Sequence, residues 1–204
     1  ESFIQYYFYK QWKKLKDYAN SKGIKIIGDL PIYVASNSAD TWQHPKLFCF
    51  DKHLKIKAVA GCPPDYFSKK GQLWGNVLYD WEAMKKDNYS WWEQRIKHSF
   101  LLYDVLRLDH FRGFASYWAI RYGEKTAING RWEIGPRIQF FRDLERKVKN
   151  IDIIAEDLGT LTADVFKLLR QTNYPNMKVL QFGLTEWDNM YNPKNYTENS
   201  VAYT

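Results

Sequence analysis

The segment YDVLRLDHFRGF, residues 103–114, carries two opposite charges where a buried strand is expected. Its apolar residues are typical of a covered strand, but Arg107 and Asp109 interrupt them. Because residues two apart in a strand point to the same side of the sheet, this arginine and aspartate share one face. Burying charge is costly unless the charge is paired or takes part in a reaction. The pair therefore marks a candidate site.

A second acid, Glu156, ends the strand predicted in IDIIAEDLG, one βα unit after Asp109. Adjacent parallel strands lie ~4.8 Å apart, so the two carboxyls are expected to face each other across a ligand. Retaining glycosidic chemistry uses two carboxyls ~5–5.5 Å apart, a nucleophile and an acid/base. Arg107 would lower the pKa of the nucleophile, and burial would keep the acid protonated. Spacing alone leaves a structural alternative open, in which Arg107 and Asp109 are only a buried ion pair and the strand-end acids cap helices.

Helical and strand patterns alternate around these residues. Helices are predicted over residues 2–22, over residues 137–149 and from Thr162 to Thr172. A further helix is predicted to begin at Ser90, where Ser90 and Glu93 form a capping-box pattern. Apolar strands are predicted in IKIIGDLPIYV, ending at Gly28–Asp29, over Asp104–Asp109, in IDIIA, in NMKVLQFGL and, as a fifth, in ENSVAYT. This alternation predicts a parallel sheet covered by helices, with polar groups at the carboxyl ends of its strands.

Active sites form at that edge of the sheet both in (β/α)8 barrels and in open doubly wound sheets. No GxGxxG follows a strand, which weakens the doubly wound alternative. Residues 30–89, rich in Pro, Gly, Trp and Tyr, form an insertion that is too long for a plain connection. A complete barrel needs about 250 residues. We therefore predict an α/β fold in which residues 1–204 are an incomplete part of one catalytic (β/α)8 TIM-type barrel.

The composition excludes several classes of protein. With 45% hydrophobic residues, the chain is too apolar for disorder. The net charge of +7 allows a nucleic-acid partner, but short lysine clusters without an arginine-rich arm favour a solvated basic surface. No apolar run approaches ~18 residues, so no membrane span is expected. Cys49 and Cys62 form no CxxC pattern and are expected to be free thiols in a reducing cytoplasm. His44, His53 and His98 have no metal-ligand spacing, and no metal site is predicted.

Five segments stand out as a set: GDLPIYV (28–34), SADTW (38–42), PPDYFSKKGQLWGN (63–76), RLDHFRG (107–113) and AEDLG (155–159). Together they resemble the amylomaltase or disproportionating-enzyme family, the 4-α-glucanotransferases of the α-amylase superfamily. The likeness follows the family's order over nearly the whole chain. It implies a (β/α)8 barrel and a retaining double displacement on α-1,4-glucan. It further implies maltooligosaccharide substrates, no nucleic acid, no metal and no organic cofactor.

The resemblance also implies roles for single residues. By motif position, Asp109 resembles the nucleophile, Arg107 the arginine that holds it ionised, and Glu156 the acid/base. The implied substrate contacts are Asp29, Tyr66, Phe67, Trp74, Asn76 and His110. Of these, Tyr66 and Phe67 match a flexible aromatic loop that would cover the acceptor and exclude water. Strand parity predicts that His110 points away from the nucleophile, and a purely structural hydrogen bond is its equal alternative.

The sequence departs from the family pattern at Asn37 and Cys62, neither of which touches the expected chemistry. The family's third carboxylate lies in a Gly-Thr-His-Asp motif, which is expected where this chain ends. Asp164, at a predicted helix start, and Asp188, in a Trp-Asp-Asn loop, are not expected to replace it. The chain begins at Glu1, inside a helical pattern. We therefore expect a fragment of a longer protein, inactive when made alone.

Three hypotheses compete. The first is a 4-α-glucanotransferase. An α-glucan hydrolase would share its chemistry, but the DYFS loop argues against it. The third is a glycan-binding or structural module without turnover. Trp42, Trp81, Trp91 and Trp92 are expected in the core rather than against a sugar.

Overall fold

Strands and helices alternate along the chain. The computed structural model describes residues 1–184 and 189–204, so Asp188 lies outside the described residues. In this part of the chain the strands are β1 (Ile27–Pro31), β2 (Ala58–Cys62), β3 (Gln72–Val77), β4 (Val105–Asp109), β5 (Ser116–Arg121), β6 (Arg131–Ile134), β7 (Ile153–Ala155), β8 (Asn176–Val179) and β9 (Ser200–Tyr203). The helices are α1 (Ser2–Ser21), α2 (Ala39–Gln43), α3 (Trp81–Lys86), α4 (Ser90–Leu102), α5 (Arg137–Lys147), α6 (Ala163–Thr172) and α7 (Leu180–Gly183).

A parallel sheet contains β1, β4, β7, β8 and β9 in that spatial order. Each of its strands pairs in parallel with the next of them along the chain. Helices α4, α5 and α6 each precede one of these strands. The predicted α/β fold with a parallel sheet is therefore confirmed, including the fifth strand near the end of the chain.

The first strand continues beyond the predicted end at Gly28–Asp29. Strand β1 runs to Pro31, and its side chains alternate between exposed and buried, with Leu30 buried. A Cβ built on Gly28 would lie 2.0 Å from the Tyr103 ring, so the glycine is needed for close packing inside the strand. Asp29 consequently lies within the strand, directly opposite Arg107 on β4.

The insertion at residues 30–89 is largely folded. It contributes β2 and β3 to an antiparallel sheet of order β3-β2-β5-β6. The sequence pattern predicted neither these strands nor β5 and β6. The reason is that β2 is buried along most of its length, whereas β6 is mostly exposed, so neither shows the alternation that identifies a strand.

Aromatic side chains build much of the core. Trp92 on α4 is fully buried, and its ring lies 5.5 Å from that of Phe114 and 5.4 Å from that of Phe140 on α5. Trp81 and Trp91 are also buried, as predicted. The same prediction is wrong for Trp42, whose surface is 85% exposed. The aromatic residues of the composition are thus divided between this core and the exposed surface.

Two helices differ from their sequence patterns. Helix α4 begins at Ser90, but the predicted capping box with Glu93 is wrong, because the Ser90 hydroxyl donates to Asp87 (2.8 Å) and Glu93 pairs with Lys97 (2.7 Å). Helix α1 spans the predicted residues, yet none of them is buried. The helix contacts α4 through Trp12, whose indole N–H donates to the carbonyl of Leu102 (2.8 Å), but most of its apolar side, such as Phe3, Phe8 and Leu15, is exposed. No described helix is both long and apolar enough to span a membrane.

We predict that Trp92→Ala lowers the free energy of unfolding of the full-length protein by about 3–5 kcal/mol, because it leaves a cavity in the aromatic core. The control is Trp92→Phe. Within the described residues the indole N–H of Trp92 has no hydrogen-bond partner, so this variant keeps a ring and removes an unpaired donor. Its cost should stay below about 2 kcal/mol. Urea unfolding measures both values, and equal losses would contradict this packing.

Candidate active site

A cavity of about 360 Å³ lies between the carboxyl ends of the parallel strands and the antiparallel sheet. Two groups of residues line it. The parallel strands and the loops after them contribute Arg107, Asp109, His110, Arg112, Glu156, Leu158, Gly159 and Thr160. The antiparallel sheet and its loops contribute Gly61, Cys62, Pro63, Asp65, Gln72, Trp74 and Trp132. The cavity thus joins charged groups on one side with aromatic and polar groups on the other.

Asp109 and Glu156 reach the cavity from neighbouring strand ends. In the β4–β7 pair, Leu108 lies opposite Ala155, so the next residue of each chain segment is one of these acids. The adjacent residue, Asp157, is directed elsewhere: its carboxylate accepts the backbone N–H of Met177 on β8 (2.9 Å). The structure therefore brings together the two carboxyls that the sequence predicted as a pair.

Arg107 bonds more extensively to Asp29 than to Asp109. Its Nε and Nη2 donate to the two carboxylate oxygens of Asp29 at 2.9 and 2.8 Å. The same Nη2 reaches Asp109 Oδ1 at 3.2 Å. Such a two-point contact matches the planar guanidinium to a carboxylate. Asp29 is not part of the cavity lining, so it acts on the cavity through this arginine.

The pKa of Asp109 is raised from its usual range. Burial is the largest cause, and the negative charge of Asp29 adds to it, while the charge and hydrogen bond of Arg107 act in the opposite direction. Arg107 lowers the pKa of Asp109, as expected, but burial raises it by more. Arg107 also bonds to Asp29, and the negative charge of Asp29 offsets part of the effect of the Arg107 charge on the pKa of Asp109.

The pKa of Glu156 is also raised, first by burial and also by the negative charge of Asp109. Two backbone donors oppose this shift. The N–H of His110 donates to Oε2 (2.7 Å) and the N–H of Leu158 donates to Oε1 (3.0 Å). These bonds hold the carboxyl in place and favour its ionised form. Glu156 thus has the environment of a group that can hold a proton and can also exist as an anion.

His110 faces the cavity, contrary to the prediction from strand parity. Its backbone has φ 54° and ψ 47°, a left-handed conformation that ends the alternation of β4. The imidazole lies edge-on against the Trp74 ring, with centroids 4.7 Å apart. Burial, aided by the positive charge of Arg112, lowers its pKa to about 3. The imidazole of His110 is therefore a neutral polar group beside the acids. The backbone N–H of His110 also donates a hydrogen bond to Glu156.

The other predicted contacts are only partly assembled. Trp74 lines the cavity, and its indole N–H donates to Gln72 Oε1 (3.0 Å). Asn76 does not line it; its amide donates to the carbonyl of Val34 (3.0 Å). Tyr66 and Phe67 are 95% and 90% exposed and stand outside the cavity lining. They lie in a turn closed by Asp65 and Ser68, each of which accepts the backbone N–H of the other.

Arg112 and Trp132 are among the cavity residues that the sequence pattern did not single out. Arg112 lies inside the segment RLDHFRG, and its position three residues after Asp109 was the available signal in the sequence. Trp132 lies on β6, a strand that the pattern did not predict. Both become part of the cavity only because the antiparallel sheet packs over the ends of the parallel strands.

The cysteines and possible metal ligands complete the description of the site. Cys49 and Cys62 are free thiols, as predicted. Burial raises the pKa of Cys62, which lines the cavity, to about 11, so it is a protonated, weakly nucleophilic thiol at neutral pH. In the ranges 1–184 and 189–204, no three His, Cys, Asp or Glu side chains come together as a metal site. Asp164 lies in the first turn of α6, as its predicted helix-start position requires.

The fold and the cavity define an α/β protein with paired carboxyls at the carboxyl ends of adjacent parallel strands. The chain belongs to the 4-alpha-glucanotransferase family, whose model matches residues 1–204. It is 53% identical over 204 residues to the 4-alpha-glucanotransferase of Clostridium butyricum, an alignment that covers 99% of this chain and 42% of that protein. It is 49% identical over 201 residues to the chloroplastic/amyloplastic 4-alpha-glucanotransferase of Solanum tuberosum, covering 98% and 35% of the two chains.

Solved structures show the same likeness. Amylomaltase from Streptococcus agalactiae in complex with acarbose matches with a TM-score of 0.93 and 46% identity, over 98% of this chain and 41% of that one. Amylomaltase from Corynebacterium glutamicum matches with a TM-score of 0.79 and 20% identity, over 95% of this chain and 27% of that one, which is a likeness of fold alone. The chain spans about two fifths of the length of the bacterial relative with 53% identity.

We predict that Asp29→Asn lowers the pKa of Asp109. The variant removes a negative charge that raises this pKa and frees Arg107 to pair more closely with Asp109. NMR titration of carbon-13-labelled aspartate side chains in the full-length protein measures the shift. Because a lower pKa keeps the carboxylate ionised at lower pH, the acid side of any activity profile should move to lower pH with it.

The matched control is Asp152→Asn. Asp152 is also about half exposed and also paired with a basic side chain, but its partner is Lys25 (3.3 Å) and not Arg107. This control should leave the pKa of Asp109 at its wild-type value. An unchanged or higher pKa of Asp109 in Asp29→Asn would contradict the shared-arginine arrangement.

Proposed function

We propose that the full-length protein is a 4-α-glucanotransferase that moves α-1,4-glucan segments between maltooligosaccharides by a retaining double displacement. The observation that carries the proposal is the placement of Asp109 and Glu156 at adjacent strand ends, where both line one cavity. Retaining glycosidic chemistry needs two carboxyls at short separation. Membership of the 4-alpha-glucanotransferase family supports the same reaction.

The 204 residues are one arc of a single (β/α)8 TIM-type barrel, and residues 30–89 are its long insertion. The strand order supports this architecture, because in such a barrel each strand lies next to the following one along the chain. At the two ends of the described sheet, β1 and β9 each have one strand neighbour. The exposed apolar side of α1 supports further chain packed against this arc.

In the first half of the reaction Glu156 donates its proton to the glycosidic oxygen while Asp109 attacks the anomeric carbon. The donor's non-reducing segment becomes an ester of Asp109, and the remainder leaves with a new hydroxyl. Arg107 holds Asp109 from one side and is itself held by Asp29. Its charge favours the ionised nucleophile, which burial alone would disfavour.

In the second half Glu156, now ionised, takes the proton of an acceptor 4-hydroxyl, which attacks the ester carbon. The N–H groups of His110 and Leu158 stabilise this anion. His110 and Trp74 are assigned to substrate contact, His110 as a neutral donor or acceptor, whereas Asn76 holds the backbone at Val34. No step of this scheme requires a metal ion or an organic cofactor, since both proton transfers and the covalent intermediate use carboxyl groups.

Transfer requires that a sugar hydroxyl reacts in preference to water. We assign this selection to Tyr66 and Phe67, which stand exposed on the loop beside the cavity. Closure of the loop over a bound acceptor would bury the two rings and exclude water.

The two free thiols support a reducing compartment such as the cytoplasm.

The decisive experiment incubates the full-length protein with maltotriose. We expect glucose together with a ladder of longer maltooligosaccharides, and we expect Asp109→Ala to abolish both. Glucose and maltose without lengthening would favour an α-glucan hydrolase instead. Binding of maltotriose without any product would favour a glycan-binding module, and both outcomes contradict the proposed transfer.

The pH dependence of kcat/KM tests the two roles. Asp109 must be ionised, so activity should fall as the pH drops through its pKa, and Glu156 must be protonated, so activity should fall as the pH rises through its pKa. Burial raises both values, which moves both limbs to higher pH. Glu156→Gln should lower the rate about 10²–10⁴-fold and remove the alkaline limb.

An α-glycosyl fluoride donor serves as the control for this variant, because fluoride leaves without being protonated. Formation of the glucosyl ester from this donor should be far less impaired by Glu156→Gln. An alkaline limb that persists in Glu156→Gln would assign the acid to another group.

A further inference from the structure

We propose that Trp132 is an acceptor-side sugar platform, that Arg112 is its positioning residue, and that this pair favours transfer to a glucan over transfer to water. The proposal rests on the proposed function, because it requires a glucan acceptor. In this proposal Trp132 contacts the acceptor sugar only, whereas the two carboxyls take part in the reaction of donor and acceptor alike.

Trp132 is held on one face and at one edge. The Arg112 guanidinium carbon lies 4.1 Å from the indole centroid, over the ring. The Trp118 ring, directly across the β5–β6 pair, meets Trp132 at 68° with centroids 5.2 Å apart. Nevertheless, 43% of Trp132 stays exposed, and the residue lines the cavity that contains Asp109 and Glu156. The indole is thus a fixed ring with free apolar surface beside the acids.

Arg112 is fixed by its own partners. It is only 4% exposed, and its guanidinium donates to the carbonyl of Thr160 and to the Ser116 hydroxyl (3.2 Å). That hydroxyl in turn donates to Asp164 at 2.8 Å. A planar guanidinium stacks on an aromatic ring while its N–H groups bond outward in the plane of the guanidinium itself, which lysine cannot do. The network therefore sets the orientation of Trp132 and links it to the loop that follows Glu156.

The exposed surface of Trp132 suits a glucose unit. A pyranose presents apolar C–H groups on its faces, which pack against an aromatic ring, and hydroxyls around its edge, which need polar partners. Asp65 and Gln72 line the same cavity and supply such partners. Trp92, which packs in the core, is fully buried, whereas Trp132 keeps nearly half of its surface free inside the cavity. The surroundings fit a carbohydrate better than a purely apolar ligand.

Its position identifies the acceptor side. Trp132 shares the cavity wall with Pro63 and Asp65, the base of the loop that carries Tyr66 and Phe67. The connection between β5 and β6 is joined to this loop, because the N–H of Ala127 donates to the carbonyl of Lys70 (3.0 Å). The platform and the acceptor-covering loop therefore form one wall.

The test measures transfer to maltose and hydrolysis together, with a maltooligosaccharide donor and the full-length protein. Trp132→Ala should raise the KM for maltose roughly threefold to tenfold, the loss expected for one aromatic contact. At low maltose concentration the ratio of transfer to hydrolysis should fall by the same factor. General damage to the active site would lower both rates together and leave the ratio unchanged.

Three further variants make the comparison specific. Trp132→Phe keeps a ring and should recover most of the wild-type ratio. Tyr122→Ala removes an exposed aromatic side chain beside β5 that does not line the cavity, and it should leave the ratio unchanged. Arg112→Lys should raise the KM for maltose, and combining it with Trp132→Ala should add little, because both changes disable the same platform.

A second measurement keeps the ring in place. In protein labelled with 5-fluorotryptophan, the fluorine resonance lost in Trp132→Phe identifies Trp132, and maltose should shift it in an Asp109→Asn background that cannot turn over. A resonance that does not move, or a wild-type transfer ratio in Trp132→Ala, would overturn the platform. A full-length protein that makes no longer glucans would instead overturn the proposed function.

Discussion

The parallel pairing of β4 with its two neighbours is the constraint on which the site depends. Register places Arg107 opposite Asp29 on one side and brings Asp109 and Glu156 to adjacent strand ends on the other. A shift of one residue would turn Arg107 and Asp109 away from this face, since alternate side chains point to opposite sides. The buried apolar residues of β4, such as Leu106 and Leu108, hold the register that aligns the charges.

The electrostatics of the site are a balance between burial and shared charge. Burial raises the pKa of both acids, and each has its own opposing partner, an arginine for Asp109 and two backbone N–H groups for Glu156. Arg107 contacts two carboxylates, so the contact with Asp29 limits how far Arg107 lowers the pKa of Asp109. The two carboxyls of one cavity therefore differ in the partners that oppose the effect of burial.

The antiparallel sheet turns an edge of charged groups into a cavity. Its residues supply the aromatic wall, including Trp74 and Trp132, while the parallel strands supply the acids. Arg112 joins the two parts, because it follows β4 in the chain and stacks on a ring of β6. Under the proposed function, the parallel sheet would therefore supply the reacting carboxyls, and the insertion and the β5–β6 hairpin would contact the sugar.

The parallel strands, the four longest helices and the pairing of Asp109 with Glu156 could be predicted from the amino-acid sequence, because they follow from local periodicity and from strand order. Three features could be recognised only in the folded protein: Asp29 is the main partner of Arg107, His110 faces the cavity, and Trp132 lines it. The first depends on register between strands, the second on a left-handed backbone turn at the strand end, and the third on the packing of a sheet whose strands show no periodic pattern. Such features arise from contacts between distant residues, which periodicity does not report.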